Sequence, residues 1–314
     1  MNSGPSTRIS RPLAAALLCV CVAGWACAWA AAPATGPLQF DTPQQAADAI
    51  IAAADKFDVA AIKRILGAGQ DDVVLGGEPT QDRELAAQFA ARAHEKNVVS
   101  IDPQTKDRAI LLIGKEDWPF AIPIVKRGQR WSFDAEAGRT ELVNRLIGRN
   151  ELDAIALCHG YVEAQYDYAF TKRQGYQVTQ YAQRIIATPG KQDGLAWRNA
   201  DGTWGGPVGE NVARAIQQGY TNKKKPYHGY YFKVLKGQGP AAPHGASSFV
   251  VKGLMIGGFA LVAAPAEYGH TGVKTFIVSQ DGIVYEKDLG PDTLAKFEKM
   301  TLYDPDKSWS PVKE

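Results

Sequence analysis

Short apolar runs of strand length alternate with turn signals through residues 226–289, and this pattern limits the fold more than any other feature of the chain. Asp281-Gly282 stands between the runs Thr275–Ser279 and Ile283–Tyr285. Aspartate and glycine both tolerate positive φ, so the pair predicts a two-residue hairpin. Strands are expected at Tyr227–Leu235, Phe259–Ala263, Val273–Ser279 and Ile283–Glu286, with a covering helix near Thr293–Met300. The result is an antiparallel meander with no nucleophile, metal cluster or phosphate loop built into it. The tail Tyr303–Val312 reads as extended, with Trp309 pinned to the surface.

Upstream of the meander, helices come first. Thr42, Pro43 and Gln45 form a capping box with proline at the first helical position. Asp58 caps a second helix that Gly67 ends, and a third spans roughly Asp82 to Glu95. Four strand-like runs follow, at Asn97–Ile101, Arg108–Ile113, Phe120–Val125 and Arg130–Phe133. Pro123 cannot donate to a ladder, which puts it at an edge or bulge. Asp117-Trp118-Pro119 reads as a turn into an edge strand.

Ala135 to Phe170 is helical in pattern, with a break expected at Gly148. Leu152, Ile155, His159, Val162, Tyr166 and Ala169 form one stripe at helical spacing, with Glu151, Asp153, Glu163 and Asp167 on other faces. Helices, then an antiparallel sheet, then a long helix and a meander make an α+β chain. Its expected division is 1–30 signal peptide, 31–40 leader, 41–148 N-terminal domain and 149–314 C-terminal domain. Residues 171–226 are rich in Gly and Pro, with a short helix expected over Val212–Gln218 and a basic loop at Lys223–Lys225.

The first 30 residues read as a secretory signal. Arg8 and Arg11 precede the apolar run Pro12 to Ala30, which ends in the small-x-small site Ala28-Trp29-Ala30. The alternatives are a retained anchor, for which a run of about 19 residues is short, and lipid attachment at Cys27. Cleavage would remove Cys19, Cys21 and Cys27, leaving Cys158 alone and no internal disulfide. It would also remove Arg8 and Arg11, leaving 33 basic against 33 acidic residues. A balanced chain gives no electrostatic reason to bind nucleic acid or anionic lipid. No run beyond the signal is long enough to span a membrane.

Candidate chemistry concentrates in Tyr227-His228-Gly229-Tyr230-Tyr231. Read as a strand, it puts His228 and Tyr230 on one face and Tyr227, Gly229 and Tyr231 on the other. His228 could then meet Glu267, Tyr268 or His270 of a following loop, for hydrogen bonding or for acid–base work. Trp197 and Trp204 lie in a Gly-rich stretch with Tyr220, where aromatic rings serve either as core or as sugar-stacking platforms. Glu163 and Asp167, at i and i+4, could hold a cation or simply face water beside Lys172 and Arg173. No Gly-x-Ser-x-Gly, His-Glu-x-x-His or Walker loop is present. The run Gly253–Gly258 opens no helix and so is not read as a phosphate loop. No catalytic residue, metal ligand or cofactor is assigned.

The stretches DWPFAIPIVK, WSFDAEAGRTEL, LIGRNELDAI, TPGKQDGLAW, PYHGYYFKVL, MIGGFALVAAPAEYG and YEKDLGPDT occur in this order. Over residues 40–312 they resemble the bacterial secreted proteins catalogued as domain-of-unknown-function family 2950. That resemblance implies an exported protein and no assigned activity. The element order of the first half resembles nuclear-transport-factor-2-like folds, which implies a curled sheet with a pocket under its helices. Asn150–Lys172 and the meander, with Gly272, Phe276 and Gly282 in rhythm, are similar to the globular heads of type IV pilins and pseudopilins. The polar domain upstream departs from pilins, so that likeness implies a long helix on a sheet and not filament assembly. The expected function is an exported, non-catalytic periplasmic or envelope binding protein, with an envelope protein or glycan as partner. The alternative is an envelope hydrolase using His228, Glu267 and His270.

Overall fold

The computed structural model describes residues 36–70, 73–75, 79–171, 177–208 and 226–313. Residues 1–35, among them the expected signal peptide, and Gly76-Gly77-Glu78, Lys172, Arg173, Val212–Gln218, Tyr220 and Lys223–Lys225 lie outside those residues. Gly36–Glu314 cluster as one compact unit. Its fold is α+β, with antiparallel sheets and no barrel.

Helix α1 spans Pro43–Asp55, α2 Val59–Leu66 and α3 Pro79–Glu95. The capping box forms as read: the Gln45 N–H donates to Thr42 Oγ1 at 3.2 Å, and Gln45 Oε1 accepts from the Thr42 N–H at 3.4 Å. Asp58 Oδ1 caps α2 by accepting from the Ala61 N–H at 2.9 Å. Strands β1 (Asn97–Ile101), β2 (Arg108–Ile113), β3 (Trp118–Pro119), β4 (Ile124–Arg127) and β5 (Arg130–Phe133) follow. They form one antiparallel sheet in the order β1-β2-β4-β5, with β3 also paired to β2. The run expected as one strand over Phe120–Val125 is split: the Phe120 N–H still donates to Leu111 O at 2.8 Å, Ala121 to Pro123 lie outside any strand, and pairing resumes at Ile124. Pro123 has no N–H to give, and its carbonyl accepts from the Asp134 N–H at 2.9 Å. Ile50, Leu111, Ile124 and Phe133 sit in the core between α1 to α3 and this sheet.

Helix α4 spans Ala135–Phe170 without the break expected at Gly148. A Cβ at Gly148 would meet nothing within 4 Å, so no neighbour forces a kink there, and one glycine costs a helix only about 1 kcal/mol. At its start, Asp134 Oδ1 accepts from the Ala137 N–H at 3.1 Å. A second core begins at Ala154. The buried face of α4 there is Ala154, Cys158, Tyr161, Gln165 and Tyr168. The expected stripe lies at the edge of that face: Ile155 and Val162 are half-buried against the core, while Leu152 is 69% exposed and Tyr166 40%. Small residues that allow close approach, and polar residues with internal partners, therefore outrank raw hydrophobicity on this helix.

Two short strands, β6 (Trp197–Arg198) and β7 (Trp204–Gly205), pair with each other. Then come β8 (Tyr230–Leu235), β9 (Gly237–Gln238), β10 (Ser247–Ser248), β11 (Val250–Val251), β12 (Leu254–Met255), β13 (Ala260–Pro265), β14 (Lys274–Ser279) and β15 (Val284–Asp288). Helix α5 (Thr293–Lys299) and strand β16 (Ser310–Pro311) close the chain. The main sheet runs β16-β15-β14-β13-β8, all antiparallel. Every residue of β13 is buried, as its central place requires. Strand alternation assigns the two faces. Phe232 lies against α4 residues, whereas the neighbouring Lys233 stacks its ammonium 4.7 Å from the Phe297 ring of α5.

The β14–β15 hairpin forms where Asp281-Gly282 predicts it, but not as a two-residue turn. The last paired residues are Val278 and Val284, and the Gly282 N–H donates to Ser279 O at 3.0 Å. Gly282 has φ 75°, while Asp281 is not among the positive-φ residues. A wider loop closed by one left-handed glycine satisfies the same twist. The Gly253–Gly258 run contributes a hairpin: Lys252 and Gly253 take φ 48° and 81° between β11 and β12.

Candidate functional site

Tyr227-His228-Gly229-Tyr230 is a tight turn and not the start of a strand. The Tyr227 and Tyr230 N–H groups each donate to the other's carbonyl at 3.0 Å, and His228 and Gly229 take φ 47° and 72°. The alternating-face reading of His228 and Tyr230 therefore fails, because two left-handed residues reverse the chain before β8 begins. The turn is seated on α4. A Cβ on Gly229 would lie 2.5 Å from Asn150 Nδ2 and 2.9 Å from Thr271 Cβ, so only glycine fits.

Three side chains within one turn of α4 hold the turn and the following loop to the helix. Buried Asn150 donates its amide to Thr271 O at 2.9 Å. Glu151 Oε1 accepts the N–H groups of Val273 and Lys274, both at 2.9 Å. Asp153 Oδ2 meets His228 Nδ1 at 2.5 Å, and the Tyr227 ring stands edge-on to the imidazole with centroids 4.3 Å apart. None of these three helix residues stood out in the sequence as a partner for His228. Their close spacing near the middle of α4 is the only signal that precedes the structure.

The remaining members of the cluster serve the same junction. Tyr230 is 1% exposed and donates its hydroxyl to Lys274 O at 2.9 Å. Burial pushes that phenol well above its ordinary range, with Glu151 and Cys158 adding to the effect. Burial, then the Asp153 carboxylate, likewise raises the Tyr227 phenol. Tyr268 donates to Asp288 Oδ2 at 3.1 Å. Glu267 and His270 are exposed, and their backbone groups close the loop through Thr271 and each other. Among the described residues, no hydrogen bond or ion pair joins His228 to Glu267 or His270. Nor do three His, Cys, Asp or Glu side chains gather there closely enough to hold a metal ion.

Trp197 and Trp204 lie in the β6–β7 hairpin. Trp197 is only 9% exposed and donates Nε1–H to Asn199 Oδ1 at 3.1 Å. The Arg198 guanidinium covers the Trp204 ring at 4.3 Å. Trp204 Nε1 is buried without a hydrogen-bond partner among the described residues. Gly206, at φ 106°, passes so close that a Cβ would lie 2.2 Å from Leu195 O. These contacts make the hairpin a wall and not an open stacking platform.

Leu195, Pro207 and Val208, on either side of that hairpin in sequence, line a cleft of about 270 Å³ along the flank of α4. Leu157, Gly160, Tyr161, Glu163 and Ala164 supply the helix side, Phe232 and Leu261 the sheet, and Ile185, Leu195, Pro207 and Val208 the loops. Buried Gln165 fixes the loop to the helix: its amide donates to Ala182 O at 2.9 Å and its carbonyl accepts from the Ala182 N–H at 2.8 Å. Tyr168 OH donates to Gln192 O at 2.5 Å further along. The cleft thus stands on hydrogen-bonded supports and is walled mainly by apolar groups. The sequence pattern alone pairs Glu163 with Asp167 on a helix face and gives no sign of the cleft.

The described residues contain no helix long and apolar enough to cross a membrane. A family model described as "Protein of unknown function (DUF2950)" matches residues 38–312. No curated protein and no solved structure matches the chain.

Proposed function

The chain belongs to the DUF2950 family, and we propose that it is an exported, non-catalytic binding protein of the cell envelope whose ligand lies in the cleft beside α4. One observation carries this reading: an apolar cleft of about 270 Å³ is held open at a hydrogen-bonded helix–loop–sheet junction. Small-molecule sites are concave, mostly apolar and preformed, with few polar groups. The polar–aromatic cluster offers less. His228 is engaged by Asp153, Tyr230 by Lys274 and Tyr268 by Asp288, so these groups tie the fold together. Export rests on the basic, apolar and small-residue pattern of the first 30 residues.

Dye binding tests the cleft. A neutral apolar fluorophore such as N-phenyl-1-naphthylamine should brighten on adding the purified protein. Gly160→Leu should abolish that signal while leaving the fold intact. A Cβ at Gly160 meets nothing within 4 Å, and leucine suits a helix better than glycine. No brightening, or equal brightening with Gly160→Leu, would remove the support for a ligand cleft. Mass spectrometry of the protein recovered from its cells should find a chain starting near Ala31. A chain still carrying its first 30 residues would contradict processing.

A further inference from the structure

Among the described residues that line the cleft, Glu163 alone carries a charge. It is exposed at the mouth, and no hydrogen bond or ion pair ties it to another described residue. Gly160, three residues earlier, leaves the helix surface bare beside it. Asp167, one turn later on the same side of α4, is also exposed and adds negative potential without lining the cleft. Deeper in, the walls are the Tyr161 and Phe232 rings with Leu195, Ile185 and Leu261.

We propose that the cleft selects a small apolar molecule bearing one ammonium or guanidinium group. This rests on the ligand-cleft reading above and adds the ligand's charge. The apolar body would sit between Tyr161 and Phe232, where removing its surface from water drives binding. The cation would remain at the mouth within reach of the Glu163 carboxylate, which takes its charge-assisted hydrogen bond. A charge left at the rim keeps part of its hydration, so the pairing does not incur the penalty of a buried ion. At about 270 Å³ the cleft falls just under the range of drug-sized sites, which fits one ring and a short chain.

The test compares three ligands that share a phenyl ring and a two-carbon arm: phenethylamine, the neutral 2-phenylethanol and the anionic phenylacetate. Each is titrated into the purified protein by calorimetry at neutral pH and low salt. The expected order is amine, alcohol, carboxylate. The ends should differ about tenfold, from one rim attraction and one rim repulsion of under about 1 kcal/mol each. Glu163→Gln should bring the three affinities together while alcohol binding persists, and its exposed position removes folding as an explanation. Equal affinities in the unaltered protein, or an order unchanged by Glu163→Gln, would overturn the charge selection and leave the cleft standing. Failure of all three to bind, together with failure to displace the neutral dye, would overturn the cleft reading as well.

Discussion

Replacing Gly229 by alanine tests whether the Tyr227–Tyr230 turn is clamped to α4. The backbone there has φ 72°, a region that costs an L-residue about 1–2 kcal/mol. The new methyl would also lie 2.5 Å from Asn150 Nδ2 and 2.9 Å from Thr271 Cβ. Asn150 would have to turn away and give up its bond to Thr271 O, about 1 kcal/mol for a neutral hydrogen bond and more where a buried group is left unpaired. The sum is about 3 kcal/mol. Gly282→Ala is the internal comparison: its φ of 75° is nearly the same, and its Cβ meets nothing within 4 Å. That variant should lose only the conformational part, about 1 kcal/mol. Urea unfolding with a common slope reads the difference directly. In an Asn150→Ala background, Gly229→Ala should cost about 1 kcal/mol less than in the unaltered protein, because the clash with the amide is gone. Equal penalties at Gly229 and Gly282, or strict additivity with Asn150→Ala, would refute the clamp.

Three further outcomes follow from the same structure. Gly148→Ala should raise stability by about 0.5–1 kcal/mol, since it adds a helix former where no neighbour is met; a loss in urea unfolding would show that the helix bends there. Burial pushes the Cys158 thiol up to about 12, so a thiol reagent at pH 8 should label it only as fast as the protein unfolds; labelling at the rate of a free thiol would contradict its burial. Burial opposes ionisation of Asp193, yet the Thr188 N–H and hydroxyl and the Arg184 guanidinium outweigh it and hold the carboxyl below its ordinary value. A depressed carboxyl contributes stability above about pH 4 and loses it as pH falls through the folded value. Asp193→Asn should therefore flatten the acid limb of the stability profile and leave its slope near neutrality unchanged; an unaltered acid limb would contradict the assignment.

Local chemistry wrote much of this fold into the sequence. Thr42, Pro43 and Gln45 announce α1 because a capping box needs only three neighbouring residues. The strands Asn97–Ile101, Arg108–Ile113 and Arg130–Phe133 stand at the bounds their apolar patterns predict. Features set by distant neighbours were less legible. The inward face of α4 holds Cys158, Gln165 and Tyr168, and Gln165 is comfortable there only because Ala182 comes from outside the helix to meet both ends of its amide. Hydrophobic periodicity cannot foresee such a partner, so it favoured the stripe that carries Leu152. His228 was misread in the same way: its left-handed turn is required by Asn150, Thr271 and Asp153, which lie far away in sequence. The cleft is assembled from a helix, two strands and two loops, and no single segment announces it.

The most direct test of the account is a crystal structure of the protein grown with phenethylamine. The account predicts the ring between Tyr161 and Phe232, with the amine nitrogen about 3 Å from the Glu163 carboxylate. A cleft closed by the protein's own side chains, with the amine absent or bound elsewhere, would contradict it.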